Sequence, residues 1–324
     1  DLYKKIRYDA EAIVQLLLDV FMEAHLEARQ LVVLDLDATD TPLHGRQEGR
    51  FFHGFYDEYC YLPLYIFCED QLLAVRLRQA NQDASAGSLS EVQRIVARLR
   101  TRWPKLKITL RGDSGFCREE LMRWCEENQV DYVFGLARND RLRRRIGKAM
   151  RQAQVEAKRT GRAARVYTEF GYRTLKSWSR ARRVIAKAEQ IEGKENPRYV
   201  VTSLAVSAHR PRALYEELYC ARGEMENRIK EQMLLFADRM SAETMRANQL
   251  RLYLSAAAYV LVEALRRLAL KGTEMAQAQV NTIRLRLLKI GAQIRFTARR
   301  VVVSMSSGYP WQGLFEHACE ALVT

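Results

Sequence analysis

Three acidic residues in this chain of 324 stand where a carboxylate can do chemistry: Asp37, Asp113 and Glu226. Asp37 follows the apolar run Leu31-Val32-Val33-Leu34 within Asp35-Leu36-Asp37-Ala38-Thr39, and Asp113 follows Lys107 to Leu110 within Arg111-Gly112-Asp113-Ser114-Gly115. A carboxylate at the end of a buried strand reaches the mouth of the sheet, where it can hold a hard cation. Small neighbours there leave room for phosphate and water. Singly, each acid would serve as readily as a helix cap or turn former. The third acid comes from Tyr219-Cys220-Ala221-Arg222-Gly223-Glu224-Met225-Glu226. On a helix, Tyr219, Arg222, Glu226, Ile229 and Met233 share one face, so Glu226 can face inward beside Arg222. Glu224 is rotated to the other side and is expected in solvent. The plainer reading of the segment is a charged helix with i,i+4 pairs such as Glu226 with Lys230.

The elements that must position these acids follow from periodicity. Apolar residues recur at helical spacing from Tyr8 to Leu26, Leu31 to Leu34 reads as a short buried strand, and Tyr59 to Phe67 and Gln71 to Leu77 read as strands around a tight turn at Glu69-Asp70. Val92, Ile95, Val96 and Leu99 set a helical stripe, Lys107 to Leu110 a strand, Arg118 to Asn128 an amphipathic helix, and Tyr132 to Leu136 another strand. Three meandering strands, a helix, a strand, a helix and a strand is the order of a ribonuclease-H-like α/β fold, a mixed sheet flanked by helices. Residues 139–165 read as a basic helix, and Tyr167 to Tyr172, Arg182 to Ala188 and Arg198 to Leu204 as strands of a β-rich insertion; helical periodicity then returns from Ala213 to Lys289. The expected organisation is an N-terminal helical segment at 1–30, the remnant of a longer region; a catalytic domain at 31–138 and 213–295; an insertion subdomain at 139–212; and a C-terminal segment at 296–324.

Composition narrows the partners. Lys and Arg total 53 against 39 Asp and Glu, a formal charge of +14, which draws the chain towards polyanions, nucleic acid first. Six cysteines lie scattered without a CxxC pair or zinc-finger spacing, so disulfides and structural zinc are not expected and the cytoplasm is the expected compartment. No GxSxG elbow is present, and the five histidines form no recognisable hydrolase motif. The most apolar stretch, Leu250 to Leu261, is too short and interrupted to span a membrane, and no membrane association is expected.

Together these segments resemble the DDE group 1 insertion-sequence transposases of bacteria, related to the class whose glutamate helix carries a Tyr-Arg-Glu-Lys signature. The matching segments are Leu34 to Asp40 with His44-Gly45, Tyr59 to Tyr65, Leu110 to Phe116 and Tyr219 to Glu231, with further matches at Ala247 to Arg251 and Leu287 to Ala292. The resemblance implies that Asp37, Asp113 and Glu226 are the catalytic and metal-binding triad, with Tyr219 and Arg222 on phosphates. Asp37 is preferred to Asp35 because the family's first acid stands two before a threonine, here Thr39; Asp35, on the same strand face, is the alternative ligand. The signature lysine falls seven residues after the glutamate, where this chain has Met233, and Lys230 is the candidate substitute. The implied cofactors are two Mg²⁺ ions, replaceable by Mn²⁺, that bridge the scissile phosphate, so that the enzyme hydrolyses a phosphodiester at the transposon end and then drives the 3′-hydroxyl into target DNA. The implied partners are double-stranded DNA, at terminal inverted repeats and target, and a second copy in an active homodimer at the nucleoid. Lys230 and the basic Arg143, Arg144 and Arg145 would hold phosphates. Trp178 would stack on a displaced base, or else pack in the insertion's own core. The rival readings are a ribonuclease-H-like nuclease without strand transfer and a decayed transposase that only binds DNA.

Overall fold

The computed structural model describes residues 5–323. Asp9 caps helix α1 (Ala10–Glu23) by accepting from the amides of Glu11 and Ala12. Strands β1 (Leu31–Ala38), β2 (Thr41–Pro42), β3 (Phe51–His53), β4 (Glu58–Tyr61), β5 (Leu64–Cys68) and β6 (Gln71–Arg76) follow, then α2 (Ser88–Arg102), β7 (Lys107–Gly112), α3 (Glu119–Glu127) and β8 (Asp131–Leu136). The single strand expected over Tyr59 to Phe67 is two, because Pro63, which has no N–H to give a ladder, interrupts it. The first piece, β4, joins β2 and β3 in a small separate sheet. The second, β5, enters the main sheet.

That main sheet has the spatial order β6-β5-β1-β7-β8, with β5 and β6 antiparallel to β1 and with β7 and β8 parallel to it. This is the ribonuclease-H-like order, a meander whose first strand lies at the centre and is extended by parallel crossovers. Each crossover passes through a helix, α2 and then α3. The crossover helices bury Val92, Ile95 and Leu99 of α2 and Leu121, Met122 and Cys125 of α3 against Val32, Leu34 and Leu36 of β1. Each such aliphatic side chain contributes roughly 1.5–3 kcal/mol when fully buried. The opposite face of β5 and β6 carries Tyr65, Phe67, Leu72 and Val75 into a second core, which holds Met225 and Ile229 of α6 (Gly223–Gln232) and Leu252, Ala256 and Tyr259 of α7 (Met245–Leu268).

The segment 139–212 does not close into a sheet of its own. After the short basic α4 (Asp140–Arg145) and α5 (Gly147–Thr160), Gly161 at φ +66° ends the helix in the left-handed conformation that suits glycine. Strands β9 (Ala164–Tyr172), β10 (Arg182–Ile191), β11 (Lys194–Glu195) and β12 (Arg198–Thr202) then continue the main sheet, β12 pairing antiparallel with β8 and β10 with β12. The helical return is also more broken than its periodicity predicts. Residues 214–219 and 233–237 on either side of α6 are π-helical, and 220–222 is a 3₁₀ turn. A hairpin of β13 (Ala292–Phe296) and β14 (Val301–Met305) runs across the expected boundary at 295, and α8 (Gln312–Val323) follows it. Among the described residues no helix is long and apolar enough to cross a membrane.

Candidate active site

Alternation along β1 decides which side chains reach the site. Val32, Leu34 and Leu36 point into the core beneath α2 and α3, so Asp35 and Asp37 point to the other face, towards α6. The two acids have different fates there. Asp35 lies opposite Arg111 of β7 in the parallel register and forms a buried two-pronged ion pair with it, one prong at 2.6 Å. Arg111 also donates to the carbonyl of Leu218 at 2.6 Å, tying β1, β7 and the turn before the glutamate helix together. Both Asp35 oxygens are engaged by one guanidinium, so Asp35 is a structural partner rather than the alternative ligand.

Asp37, one pleat further on, is buried without such a fork, and Asp113 sits just beyond the end of β7. The Asp113 carboxylate accepts from the amide of Gly115 at 2.8 Å and caps the 3₁₀ turn Ser114–Phe116. Thus both the capping role and the strand-end position read from the sequence are realised in one residue. Gly135 of β8 is the neighbour that makes the arrangement possible. A Cβ there would stand 2.7 Å from the Tyr219 hydroxyl and 2.8 Å from the Ser114 amide nitrogen, so only glycine lets the tyrosine and the Asp113 turn close over this strand.

Arg222 joins the remaining two carboxylates. Its guanidinium donates to Asp37 at 3.3 Å and to Glu226 at 3.2 Å. Burial pushes the Asp37 carboxyl up to about 6; Arg222 opposes the shift, and the charges of Asp113 and Glu226 add to it. Burial also raises the Tyr219 phenol, with Arg222 opposing and Asp113 reinforcing. Asp37, Asp113, Glu226, Arg222 and Tyr219 therefore share one electrostatic neighbourhood, although they come from three distant stretches of chain. Among the described residues no three His, Cys, Asp or Glu side chains close on one point as a metal shell. The donor types nevertheless suit a hard divalent cation: three carboxylates, two of which, Asp113 and Glu226, add their charge to the burial that raises Asp37, with the Arg222 guanidinium between Asp37 and Glu226.

The other residues singled out by sequence are not all at this centre. Lys230 is exposed on α6 and forms no ion pair with Glu226, which pairs with Arg222 instead. Met233 begins the π-helical turn and packs against the second core. Glu224 is exposed as expected, although its charge reaches Asp35. Arg143, Arg144 and Arg145 are exposed on α4; Arg143 lies 3.6 Å from Glu195, and Arg144 donates to the carbonyl of Asp140. Trp178 is 4% exposed. Its ring meets Tyr172 edge-on at 5.8 Å and lies under the Arg182 guanidinium, and it belongs to the main core. No ring face is open to a base, so the stacking role expected for Trp178 is withdrawn. Arg182 is itself buried and paired with Glu119 and Glu126.

Two contributors escape the strand-end argument. Tyr56 stands close enough to Asp37, Asp113 and Asp40 for their charges to add to the burial that raises its phenol. Beside it on the β3–β4 turn, Phe55 is 83% exposed, and Phe52 of β3, half exposed, packs edge-on against Tyr59. The signal was the run Phe51-Phe52-His53-Gly54-Phe55-Tyr56, unusually aromatic for a turn.

No curated protein matches the chain. Among solved structures, the cryo-EM structure of a piggyBac transposase synaptic complex with hairpin DNA is similar over 78% of this chain at 10% identity and a TM-score of 0.43. The match takes in 51% of that chain, so this chain spans about half its length. The family model described as transposase DDE domain group 1 matches residues 2–324, and the chain belongs to that family.

Proposed function

We propose that the chain cleaves DNA at the ends of an insertion sequence and joins the freed 3′ ends to target DNA, with Asp37, Asp113 and Glu226 as its catalytic residues. The observation that carries this reading is the single guanidinium of Arg222 held between Asp37 of β1 and Glu226 of α6, beside the Asp113 turn under Tyr219. Two bound divalent cations, Mg²⁺ or Mn²⁺, would supply activation of the attacking oxygen and stabilisation of the leaving one. Asp37, Asp113 and Glu226 would hold them. Arg222 keeps the two carboxylates oriented in the free protein and can turn its fork to a phosphate when DNA arrives, since guanidinium recognises both groups in the same bidentate way. Tyr219 and the Asp113 turn both close on Gly135 of β8, and Arg111 fixes the helix start by way of Leu218. Phe55, packed on the Tyr56 that senses the acids, offers an exposed ring to DNA, and Lys230 with Arg143, Arg144 and Arg145 offers charge to its backbone. The active complex is a homodimer on paired inverted repeats.

The test is a cleavage and strand-transfer assay on the element's own ends with Mg²⁺. Joined products that vanish in Asp37→Asn, Asp113→Asn and Glu226→Gln support the reading. Nicked ends without joined product would make the chain a nuclease, and full activity in any one variant would remove that residue from the site.

A further inference from the structure

The β13–β14 hairpin has one wholly apolar face. The register pairs Ala292 with Met305, Ile294 with Val303, and Phe296 with Val301, and these six side chains project to one side. Gln293, Arg295, Val302 and Ser304 project to the other. The hairpin belongs to no other sheet, and every residue of both strands is exposed. Ile294 is 60% exposed, Phe296 77% and Val303 52%. A two-stranded ribbon of this kind is marginal in water and gains stability when its apolar face is covered.

We infer that this face is where two copies of the chain pack against each other, ribbon on ribbon, as a four-stranded sandwich about a two-fold axis. Three observations select a second copy as the occupant. The face is apolar throughout, so the same patch on two copies can meet itself, as an isologous contact requires. Its six side chains carry no charge, while each copy carries +14; the hairpin's arginines stand off the face, Arg295 on the far side and Arg299 and Arg300 in the connecting turn, so two such chains can approach through the apolar patch itself. Its exposed side chains present on the order of 500 Å² of apolar surface, at the upper end of what a monomer leaves bare. Two faces together would bury about 1,000 Å², the area at which an interface becomes specific. DNA finds no cation on this face, and a nucleic acid suits the opposite one.

The inference concerns association alone and names the surface of the proposed homodimer. Sedimentation velocity on the full chain, across about two decades of concentration, is expected to show a reversible dimer. Val303→Lys and Ile294→Lys should each raise the dimer dissociation constant at least about tenfold, because both copies bring the charge into one contact. Ser304→Lys, on the opposite face, should leave it unchanged. Mixing Val303→Lys with Val303→Glu should restore association, an outcome that mere melting of the hairpin cannot give. A wild-type chain that stays monomeric overturns the inference, as does a mixture that fails to recover. A dimer undisturbed by either lysine also overturns it, while leaving the homodimer reading standing on some other surface.

Discussion

Asp35 and Asp37 lie two positions apart on the same strand face, yet Asp35 is locked in a two-pronged buried ion pair with Arg111, whereas Asp37 meets Arg222 through one longer contact of 3.3 Å. The difference comes from β7, whose register sets Arg111 beside Asp35 and ends before it could set a second arginine beside Asp37. Replacing Asp37, Asp113 or Glu226 by its amide should cost at least about a hundredfold in metal-dependent cleavage while DNA binding persists, since charge that stabilises the transferring phosphoryl group is lost without phosphate contacts. Glu224→Gln should be near neutral in the same assay, and a comparable loss there would show that helix charge in general, not the triad, was measured. Arg222→Lys should not restore what Arg222→Ala removes, because a lysine cannot span Asp37 and Glu226 with one planar fork. Trp178→Ala should lower stability by about 3–5 kcal/mol, the cost of emptying an aromatic site in a core, and removing a base beside the cleavage site should rescue nothing. The strand-end positions of Asp37 and Asp113 were legible in the sequence because a carboxylate after an apolar strand is a local pattern. The pairing of Asp35 with Arg111 was not, and the sequence left Trp178 open between stacking and a core, because each outcome depends on a partner supplied by another strand or helix.

At the scale of elements, the order of the first five main-sheet strands and their two crossover helices followed from apolar periodicity, whereas the joining of β9 to β12 onto the same sheet did not. Alternation marks a strand but does not say which edge it meets, and the β8–β12 pairing is a long-range choice. Two predictions test how these elements are fastened. Gly135→Ala places a methyl against the Tyr219 hydroxyl and the Ser114 backbone, so it should depress cleavage more than it depresses the melting temperature. Equal retention of activity would mean that the Asp113 turn does not need Tyr219 above it. The second fastening is Arg182 of β10, which pairs with Glu119 at 2.6 Å and Glu126 at 2.7 Å on α3 and so binds the added strands to the crossover helix. Burial pushes both glutamates up, but the hydrogen bonds and charge of Arg182, joined by Ser179 at Glu119 and by Arg180 and Tyr132 at Glu126, together outweigh it and hold them below their usual value of 4.5. Groups lowered in the folded state contribute stability that is fully present above the unfolded value and is lost as pH falls through the folded one. The melting temperature should therefore drop as pH falls below 4.5, and Glu126→Gln should make that drop shallower; an unchanged acid limb would place the sensitivity elsewhere.

For the whole molecule, the excess of 53 basic over 39 acidic residues is the property that decides how it meets DNA. The structure shows that much of this basic charge is already engaged inside the fold. Arg182 and Arg266 are buried in ion pairs, Arg111 holds Asp35, and Arg78 donates to the carbonyls of Leu62, Ala84 and Ala86. Charge free to release counterions must come from exposed positions, and α4 offers Arg143, Arg144 and Arg145 in consecutive places, Arg143 being ion-paired with Glu195 at 3.6 Å. Each phosphate contact contributes about 0.9 to the slope of log affinity against log salt for duplex DNA, so a basic helix in full contact accounts for a slope of roughly two to three. Replacing all three arginines by glutamine should reduce the measured slope by that amount, and should weaken binding about equally on inverted-repeat and unrelated DNA, because backbone contacts carry no sequence information. Neutral side chains at these exposed sites leave the core untouched, so the melting temperature is the internal control. A slope that stays at its wild-type value, with the protein still folded, would make α4 a solvated face and shift the DNA backbone onto Lys230 and the aromatic turn beside Asp37.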